Sequence, residues 1–212
     1  MKTKVYITNI EPLGDEGLFQ SLYELMPAYR REKIDRLKCV PDKNRSLGVG
    51  ALLMYALLRE GLDPLTPVKI APDGKPSLEG DPLYFNLSHS GDMAMCIISD
   101  TSVGCDIESM KKEPNLKVAK RFFTEKEYES IRDKRDFYRI WTLKESYVKL
   151  NGEGIKGILD SFSIDESCDK IYCESHFMDD DYCYSFAMNT NPGEIEILFP
   201  DIKDIKDKLY EN

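Results

Sequence analysis

Strand-like and helical segments follow one another in the same order twice along this chain, once before and once after about residue 100. In the first half, a strand-like run near 4–10 and helical stretches at 18–38 and 47–58 precede strand-like runs at 68–71, 84–88 and 93–98. In the second half, the strand-like run 102–108 and helical segments near 116–122, 125–134 and 136–151 precede strand-like runs near 160–164, 170–175, 182–188 and 194–199. This order predicts an α+β fold built from two halves of similar design.

The composition is that of a globular protein. Of the 212 residues, 42% are hydrophobic and 32% are charged, which suits one domain or two small lobes with a sizeable core. Every apolar run falls short of the roughly 20 residues that span a bilayer, and residues 1–10 lack the apolar region of a signal peptide. We therefore expect a cytoplasmic protein that has no membrane partner.

The net charge of −9 argues against general nucleic-acid binding, but the charge is unevenly distributed. Residues 160–212 hold 14 acidic and 4 basic side chains, whereas residues 1–159 are close to neutral. Within the neutral part, residues 30–45 are rich in Arg and Lys. This segment predicts either a solvated helix face or a surface that holds a polyanionic ligand.

Two acidic residues, Asp106 and Glu108, lie two positions apart in the strand-like run 102–108. Side chains alternate between the two faces of a strand, so both carboxylates point the same way. Like charges this close raise one another's pKa unless a cation or a basic group meets them, and Mg²⁺ takes oxygen ligands of this kind. The Asp-x-Glu spacing alone fits a metal site or an acidic, solvent-facing strand.

The predicted helix 136–151 carries Trp141, Lys144, Glu145 and Lys149 on one broad side. Glu145 and Lys149 have the spacing of an ordinary surface ion pair, and a tryptophan at such a position is typically a core residue. In the functional interpretation, Glu145 adds a third carboxylate to the two on the strand, and the lysines face a phosphate. Both interpretations remain open at this point.

His89 and Lys75 are further candidates. His89 lies between two serines, where an imidazole can contact a phosphate or transfer a proton, although a lone histidine is more often structural. Lys75 belongs to Asp-Gly-Lys-Pro, a turn that either presents one ammonium group to a ligand or serves as a turn alone. The six cysteines contain no Cys-x-x-Cys pair, which predicts buried free thiols rather than a disulfide scaffold.

Four motifs, in this order, closely resemble the 4'-phosphopantetheinyl transferases: Asn-x-Ser-His-Ser from 86, Val-Gly-Cys-Asp-Ile-Glu from 103, Phe-Phe-Thr-x-x-Glu from 122 and Trp-Thr-x-Lys-Glu-Ser-Tyr-x-Lys from 141. The closer match is the monomeric, two-lobed type that activates surfactin synthetase and similar enzymes, because the trimeric holo-acyl-carrier-protein synthases are much shorter chains. The resemblance covers nearly the whole chain, and the last motif is its most specific part.

The resemblance implies two similar α+β lobes related by a pseudo-twofold axis, with the active site in the cleft between them. Residues 1–101 would form the coenzyme A side, and residues 102–212 would carry the metal ligands. The ligands of Mg²⁺, or of Mn²⁺, would be Asp106, Glu108 and Glu145. The coenzyme A contacts would be Arg30, Lys33, Arg45, Gly74, Lys75, Pro76, Ser88, His89 and Lys149.

The implied reaction is Mg²⁺-dependent transfer of 4'-phosphopantetheine from coenzyme A to a serine of an apo-acyl or peptidyl carrier protein, with release of 3',5'-adenosine bisphosphate. Its catalytic residues would be Glu145, Lys149 and His89. Glu145 is the candidate base, and Glu108 or water are the alternatives. Two rival functions remain: a Mg²⁺-dependent nucleotide or phosphodiester hydrolase, and a non-catalytic coenzyme A-binding protein.

The resemblance also suggests where a carrier protein would dock. Carrier proteins are acidic around the modified serine, and the segment 110–123 holds five basic residues. In the same segment, Phe122 and Phe123 either offer apolar contact to the partner or belong to the core.

Overall fold

The computed structural model describes residues 3–71, 74–152 and 171–211. Up to residue 99 its elements are β1 (Thr3–Asn9), a 3-10 turn (Glu11–Gly14), α1 (Glu16–Leu25), α2 (Ala28–Asp35), α3 (Val40–Arg59), β2 (Val68–Ile70), β3 (Pro76–Leu78), β4 (Tyr84–Ser90) and β5 (Met93–Ser99). The later elements are β6 (Val103–Ser109), α4 (Leu116–Phe122), α5 (Glu125–Glu129), α6 (Lys134–Asn151), β7 (Tyr172–Met178), β8 (Tyr182–Met188), β9 (Ile195–Leu198) and α7 (Ile202–Tyr210). The predicted α+β class is confirmed, and the strand expected near 160–164 lies outside the described residues.

Local sequence signals set several helix ends. Pro27 separates α1 from α2 because its ring cannot continue the helix. Thr124 and Glu127 form a capping box at the start of α5. Gly152, with φ of 74°, ends α6 in the left-handed conformation that glycine adopts without strain.

The first sheet has the strand order β4-β5-β1-β9. Strand β1 is antiparallel to β5 and parallel to β9. Helix α3 covers one face, and Ile202, Ile205 and Leu209 of α7 belong to the same core cluster. The last strand and helix of the chain therefore complete the first lobe, although they follow the second lobe in sequence.

The second sheet is antiparallel, with the order β6-β8-β7, and α6 packs on one of its faces. Its other face packs against the first sheet, where Ile7 and Met95 share a cluster with Cys105 and Phe186. All seven residues of β5 are buried because both faces of this strand are covered. The lobes thus join through a continuous apolar layer, and β4 of the first lobe lies beside β6 of the second.

Helix α6 packs directly on β6 at Gly104, where any side chain would meet the backbone of the helix. Asp106 lies two residues further along this strand, and Glu145 and Lys149 lie on the helix. The close approach at Gly104 therefore brings the acidic strand and the Lys/Glu helix together.

The prediction of buried free thiols is confirmed for Cys96, Cys105 and Cys183, whereas Cys39 is free but exposed. It is wrong for Cys173, which is disulfide-bonded. Among the described residues, no helix is both long and apolar enough to cross a membrane.

Candidate active site

A cavity of about 940 Å³ lies between the two lobes. Its walls come from α2, the β2–β3 hairpin and β4 in the first lobe, and from the C-terminal half of α6 in the second. The predicted site residues in its lining are Arg30, Lys33, Gly74, Lys75, Pro76, His89, Glu145 and Lys149. Ser88, Asp106, Glu108 and Arg45 do not line the cavity, and each is described below.

A buried cluster of hydrogen bonds joins the lobes behind the cavity wall. Lys149 Nζ donates to Asp106 Oδ1 at 2.7 Å and to Ser88 Oγ at 3.1 Å. Ser88 Oγ in turn donates to Asp106 Oδ1 at 2.8 Å. Burial lowers the pKa of Lys149, but the negative groups around it, Asp106 first, outweigh that effect and raise it overall. Lys149 therefore carries a positive charge at the wall of the cavity.

Glu145 is the most perturbed carboxyl group in the cavity wall. Burial first, and then the charge of Asp106, raise its pKa to about 7, while Lys149 acts in the opposite direction. Glu108 also raises it, so the three carboxylates act on one another. A carboxyl group with a pKa near neutrality can accept and return a proton at physiological pH.

Glu108 is half-buried, and its Oε2 accepts a hydrogen bond from Ser90 Oγ of the first lobe at 2.6 Å. Burial and Asp106 raise the pKa of Glu108, while Ser90 and the Trp141 indole oppose the rise. Trp141 also contacts the rings of Phe122 and Phe123. It is therefore a packing residue that also favours the ionised form of a site carboxylate.

The donor set around Asp106 fits a hard divalent cation. Its Oδ2 atom is buried, and no described residue donates a hydrogen bond to it. Within the described ranges, no group of three or more His, Cys, Asp or Glu side chains forms a ready-made metal cluster. Mg²⁺ usually binds one or two protein carboxylates and takes its other ligands from water and substrate phosphates. Asp106, Glu108 and Glu145 are carboxylates of the type that such a partial site uses, and Asp106 and Glu108 are near enough to raise the pKa of Glu145.

Basic side chains from α2 form one end of the cavity. Arg30 is only 6% exposed, and no described residue bonds its Nε atom. Lys33 is exposed at the mouth, yet the surrounding protein and then the Arg30 charge lower its pKa. Arg36 also lines this end, although sequence analysis did not single it out. The concentrated positive charge suits an anionic ligand.

Lys75 lines the cavity, but its ammonium group is bound to the second lobe. Its Nζ donates to the carbonyl oxygen of Leu150 at 2.7 Å and to that of Val103 at 3.3 Å. The Leu150 carbonyl belongs to the last turn of α6, where a cation is favoured by the helix dipole. Lys75 therefore ties the β2–β3 hairpin to the helix that carries Glu145.

His89 lies on the cavity wall with its side chain exposed. The surrounding protein, followed by the charge of Arg45, lowers its pKa. Arg45 forms an ion pair with Asp42 and donates to the Gly91 carbonyl oxygen at 3.4 Å. The structure thus brings Arg45 near His89 but not into the cavity lining.

The proposed role of Lys144 in facing a phosphate is wrong. Its side chain is fully buried, and its Nζ lies 2.8 Å from Glu127 Oε2. The ammonium group also lies 5.8 Å from the ring centre of Phe123. Lys144 points into the second lobe and fastens α5 to α6, so of the two lysines only Lys149 reaches the site.

Sequence analysis missed an apolar wall of the cavity. Val68 and Ile70 come from β2, Leu87 from β4 and Val148 from α6. Their only sequence signal is membership of short apolar runs, which does not distinguish a cavity wall from the core. Apolar and basic side chains in one cavity suit a ligand with a ring system and phosphates.

The predicted docking segment 110–123 contains both exposed and buried side chains. Lys111, Lys112 and Lys117 are exposed, whereas Phe123 is buried in the core and Phe122 is packed against it. The suggestion that these two phenylalanines offer apolar contact is therefore wrong for Phe123. A second cavity of about 360 Å³ lies next to this segment, with the exposed side chains of Leu116 and Tyr128 in its lining.

Known proteins resemble this chain over most of its length. The sequence profile of the 4'-phosphopantetheinyl transferase superfamily matches residues 102–197. The 4'-phosphopantetheinyl transferase psf-1 of Bacillus pumilus is 32% identical over 173 residues, which are 76% of this chain and 73% of that protein. A 4'-phosphopantetheinyl transferase of Bacillus subtilis is 36% identical over 170 residues, 76% of this chain and 75% of its own length. The 4'-phosphopantetheinyl transferase gsp of Aneurinibacillus migulanus is 34% identical, with 72% of this chain and 67% of that protein covered.

Proposed function

Because the chain belongs to the 4'-phosphopantetheinyl transferase superfamily, we propose that it transfers 4'-phosphopantetheine from coenzyme A to a serine of an apo-carrier protein. The serine oxygen forms a bond with the β-phosphorus of coenzyme A. The bond from that phosphorus to the bridging oxygen breaks, and 3',5'-adenosine bisphosphate leaves. The serine proton passes to a base.

The observation that carries the proposal is a single cavity whose lining combines three kinds of surface. Basic side chains such as Arg30 and Lys33, apolar side chains such as Val68, and the pair Glu145 and Lys149 all line it. Coenzyme A has a phosphorylated nucleotide and a reactive pyrophosphate, so this combination of surfaces suits the ligand. Both lobes of a single copy contribute to the cavity, which supports action as a monomer.

Glu145 is the proposed base for the serine. A base works best when its pKa lies near the working pH, and burial raises the pKa of Glu145 to about 7 in the metal-free protein. A bound cation would lower this pKa, and water is then the alternative base. Lys149 is positively charged and fixed by Asp106 and Ser88, so it can offset charge on a phosphate without reorganising. His89 also lines the cavity and would donate a hydrogen bond to the same ligand.

The proposed metal ligands are Asp106, Glu108 and Glu145, and Mn²⁺ could replace Mg²⁺ there. Mg²⁺ would neutralise charge on the pyrophosphate when bound. The unpaired buried oxygen of Asp106 supports this assignment, because an acceptor without a donor is costly unless a cation meets it.

The proposed carrier surface consists of the exposed lysines of 111–120 together with Leu116 and Tyr128. Tyr138 connects this surface to the site, since its hydroxyl donates to the Lys112 carbonyl oxygen at 3.0 Å and the charge of Glu108 helps to raise its pKa. A carrier protein bound here would present its serine near the carboxylates. The acidic segment 160–212 would repel an acidic partner.

The deciding experiment incubates the protein with coenzyme A, Mg²⁺ and a panel of apo-carrier proteins, and records the mass of each carrier. A mass gain of one phosphopantetheine with release of 3',5'-adenosine bisphosphate is the expected result. Cleavage of coenzyme A without an adduct would instead indicate a hydrolase, and binding without any reaction would indicate a non-catalytic coenzyme A-binding protein. Undiminished transfer in excess chelator would refute the metal ligands.

A further inference from the structure

Strand β4 of the first lobe is joined to β6 of the second through side chains. Three backbone N–H groups of β6 donate to side-chain oxygens of β4: Cys105 N to Asn86 Oδ1 at 3.0 Å, Ile107 N to Ser88 Oγ at 3.4 Å and Ser109 N to Ser90 Oγ at 3.1 Å. Each donor lies 19 residues after its acceptor. The two strands therefore run parallel along a seam, with β4 side chains in place of a backbone ladder.

The two serines of this seam also hold the two acids of β6. Ser88 Oγ donates to Asp106 Oδ1 at 2.8 Å, and Ser90 Oγ donates to Glu108 Oε2 at 2.6 Å. A hydroxyl group has a single proton to donate. Because a backbone N–H already approaches each serine oxygen, the serine proton is free to point at the carboxylate.

We propose that Ser90 is a positioning residue that fixes the Glu108 carboxylate for metal binding, an inference that rests on the proposed function. Ser90 does not line the 940 Å³ cavity, so its effect on a ligand there passes through Glu108. Ser88 differs from it, because Ser88 also accepts a hydrogen bond from Lys149.

The geometry explains why Ser90 matters for orientation. Ser90 Oγ holds the Glu108 carboxylate from the first lobe at 2.6 Å, while the Trp141 indole of α6 favours its ionised form. Without Ser90 the carboxylate loses its hydrogen bond across the seam and can rotate away from Asp106. Hydrogen-bonding partners of metal ligands typically change metal affinity by about 10- to 100-fold when they are removed.

The test measures Mn²⁺ binding by electron paramagnetic resonance on the full chain with saturating coenzyme A and no carrier protein. Ser90→Ala should weaken Mn²⁺ binding about 10-fold, and Ser90→Thr, which keeps the hydroxyl, should restore most of it. Ser99→Ala is the matched control: it removes a buried hydrogen bond of 2.8 Å to Thr3 at the far end of the first sheet. It should leave Mn²⁺ affinity within about twofold of the wild type.

A metal-free measurement separates failure of this inference from failure of the proposed function. The second measurement is a double-mutant cycle of Ser90 and Glu108, in which unfolding is measured in chelator. Because the two side chains are hydrogen-bonded, Ser90→Ala should change the unfolding equilibrium constant about threefold more in the wild-type background than in the Glu108→Ala background. If the wild type binds Mn²⁺ and Ser90→Ala binds it with the same affinity, the inference about Ser90 is overturned but the proposed function is not. If the wild type binds no Mn²⁺, the metal part of the proposed function is overturned. The role of Ser90 in metal binding is then overturned as well, even if Ser90 and Glu108 are energetically coupled.

Discussion

A Cβ atom at Gly104 would lie 2.1 Å from the carbonyl oxygen of Ser146. It would also lie 2.4 Å from the backbone nitrogen of Leu150, so no side chain can move to make room. Strand β6 and helix α6 therefore touch backbone to backbone. This contact fixes the spacing at which Lys149 on the helix reaches Asp106 on the strand, 2.7 Å between Nζ and Oδ1.

Gly104→Ala should therefore separate helix from strand. We expect a loss of about 3 kcal/mol in the free energy of unfolding, which is typical of overpacking a well-packed core. We also expect the folded variant to transfer more slowly than the wild type, so that unfolding alone does not account for the lost activity. Urea denaturation and activity at a temperature where the variant is folded measure the two effects. Gly14→Ala is the control, since a Cβ there meets no atom within 4 Å. Native stability of Gly104→Ala would contradict the backbone contact.

The strand period was sufficient to predict one feature of the site. Asp106 and Glu108 do share a face, because both accept hydrogen bonds from serines of β4. The helix period was not sufficient for Lys144, which lies about 100° around the helix from Glu145. Its partner Glu127 lies 17 positions earlier in the sequence, and only the packing of α5 on α6 makes it available.

Long-range pairing explains the other differences between sequence and structure. A sequence pattern identifies β9 as a strand, but it carries no information on which strand it joins. The structure pairs β9 with β1 in the first lobe, whereas the sequence analysis assigned all of 102–212 to the second. Lys75 gives a second example. Gly74 and Pro76 predict the turn that contains it, but its hydrogen bond to the Leu150 carbonyl spans 75 positions and no local pattern predicts it.

The metal-free protein should lose stability as the pH rises from about 4.5 to about 7. The pKa of Glu145 is raised in the folded state from 4.5 to about 7, so ionising this group costs folding free energy that is absent below pH 4.5 and complete above pH 7. Glu145→Gln removes that cost. It should be more stable than the wild type at pH 8 by up to about 3 kcal/mol, and the difference should vanish near pH 4.5.

Urea denaturation in chelator at pH 4.5 and pH 8 tests this expectation. Glu129→Gln, at an exposed position of α5, controls for the loss of one negative charge far from the cluster. A Glu145→Gln variant that is no more stable than the wild type at pH 8 would mean that ionised Glu145 does not carry the cost of burial and of nearby negative charge that raises its pKa.

The basic end of the cavity should recognise the 3'-phosphate of coenzyme A. Dephospho-coenzyme A lacks this group, so Lys33→Gln and Arg30→Gln should each weaken coenzyme A binding about tenfold, the equivalent of one charge-assisted hydrogen bond, with little change for dephospho-coenzyme A. Calorimetry with both ligands measures the difference, and added salt should reduce it. Arg31→Gln is the neighbouring control, because Arg31 does not line the cavity. If both ligands weaken equally, α2 does not contact the 3'-phosphate.

Reversing the charges of Lys112, Lys117 and Lys120 to Glu should raise the apparent KM for the carrier protein and leave the KM for coenzyme A nearly unchanged. All three side chains are exposed, so they contribute mainly by steering an acidic partner, and an effect of about tenfold at low ionic strength should shrink as salt is added. Steady-state transfer assays at two salt concentrations give both constants.

The matched control reverses Lys203, Lys206 and Lys208 on α7, which gives the same change in net charge on a helix of the first lobe. A general effect of net charge would raise the carrier KM of both triple variants. If the carrier protein binds at 112–120, only the variant of Lys112, Lys117 and Lys120 should show a salt-dependent rise in this KM. Leu116→Ala should raise the same KM without salt dependence, since Leu116 is apolar and 49% exposed beside the second cavity. An unchanged carrier KM at low ionic strength would place the carrier protein on another surface.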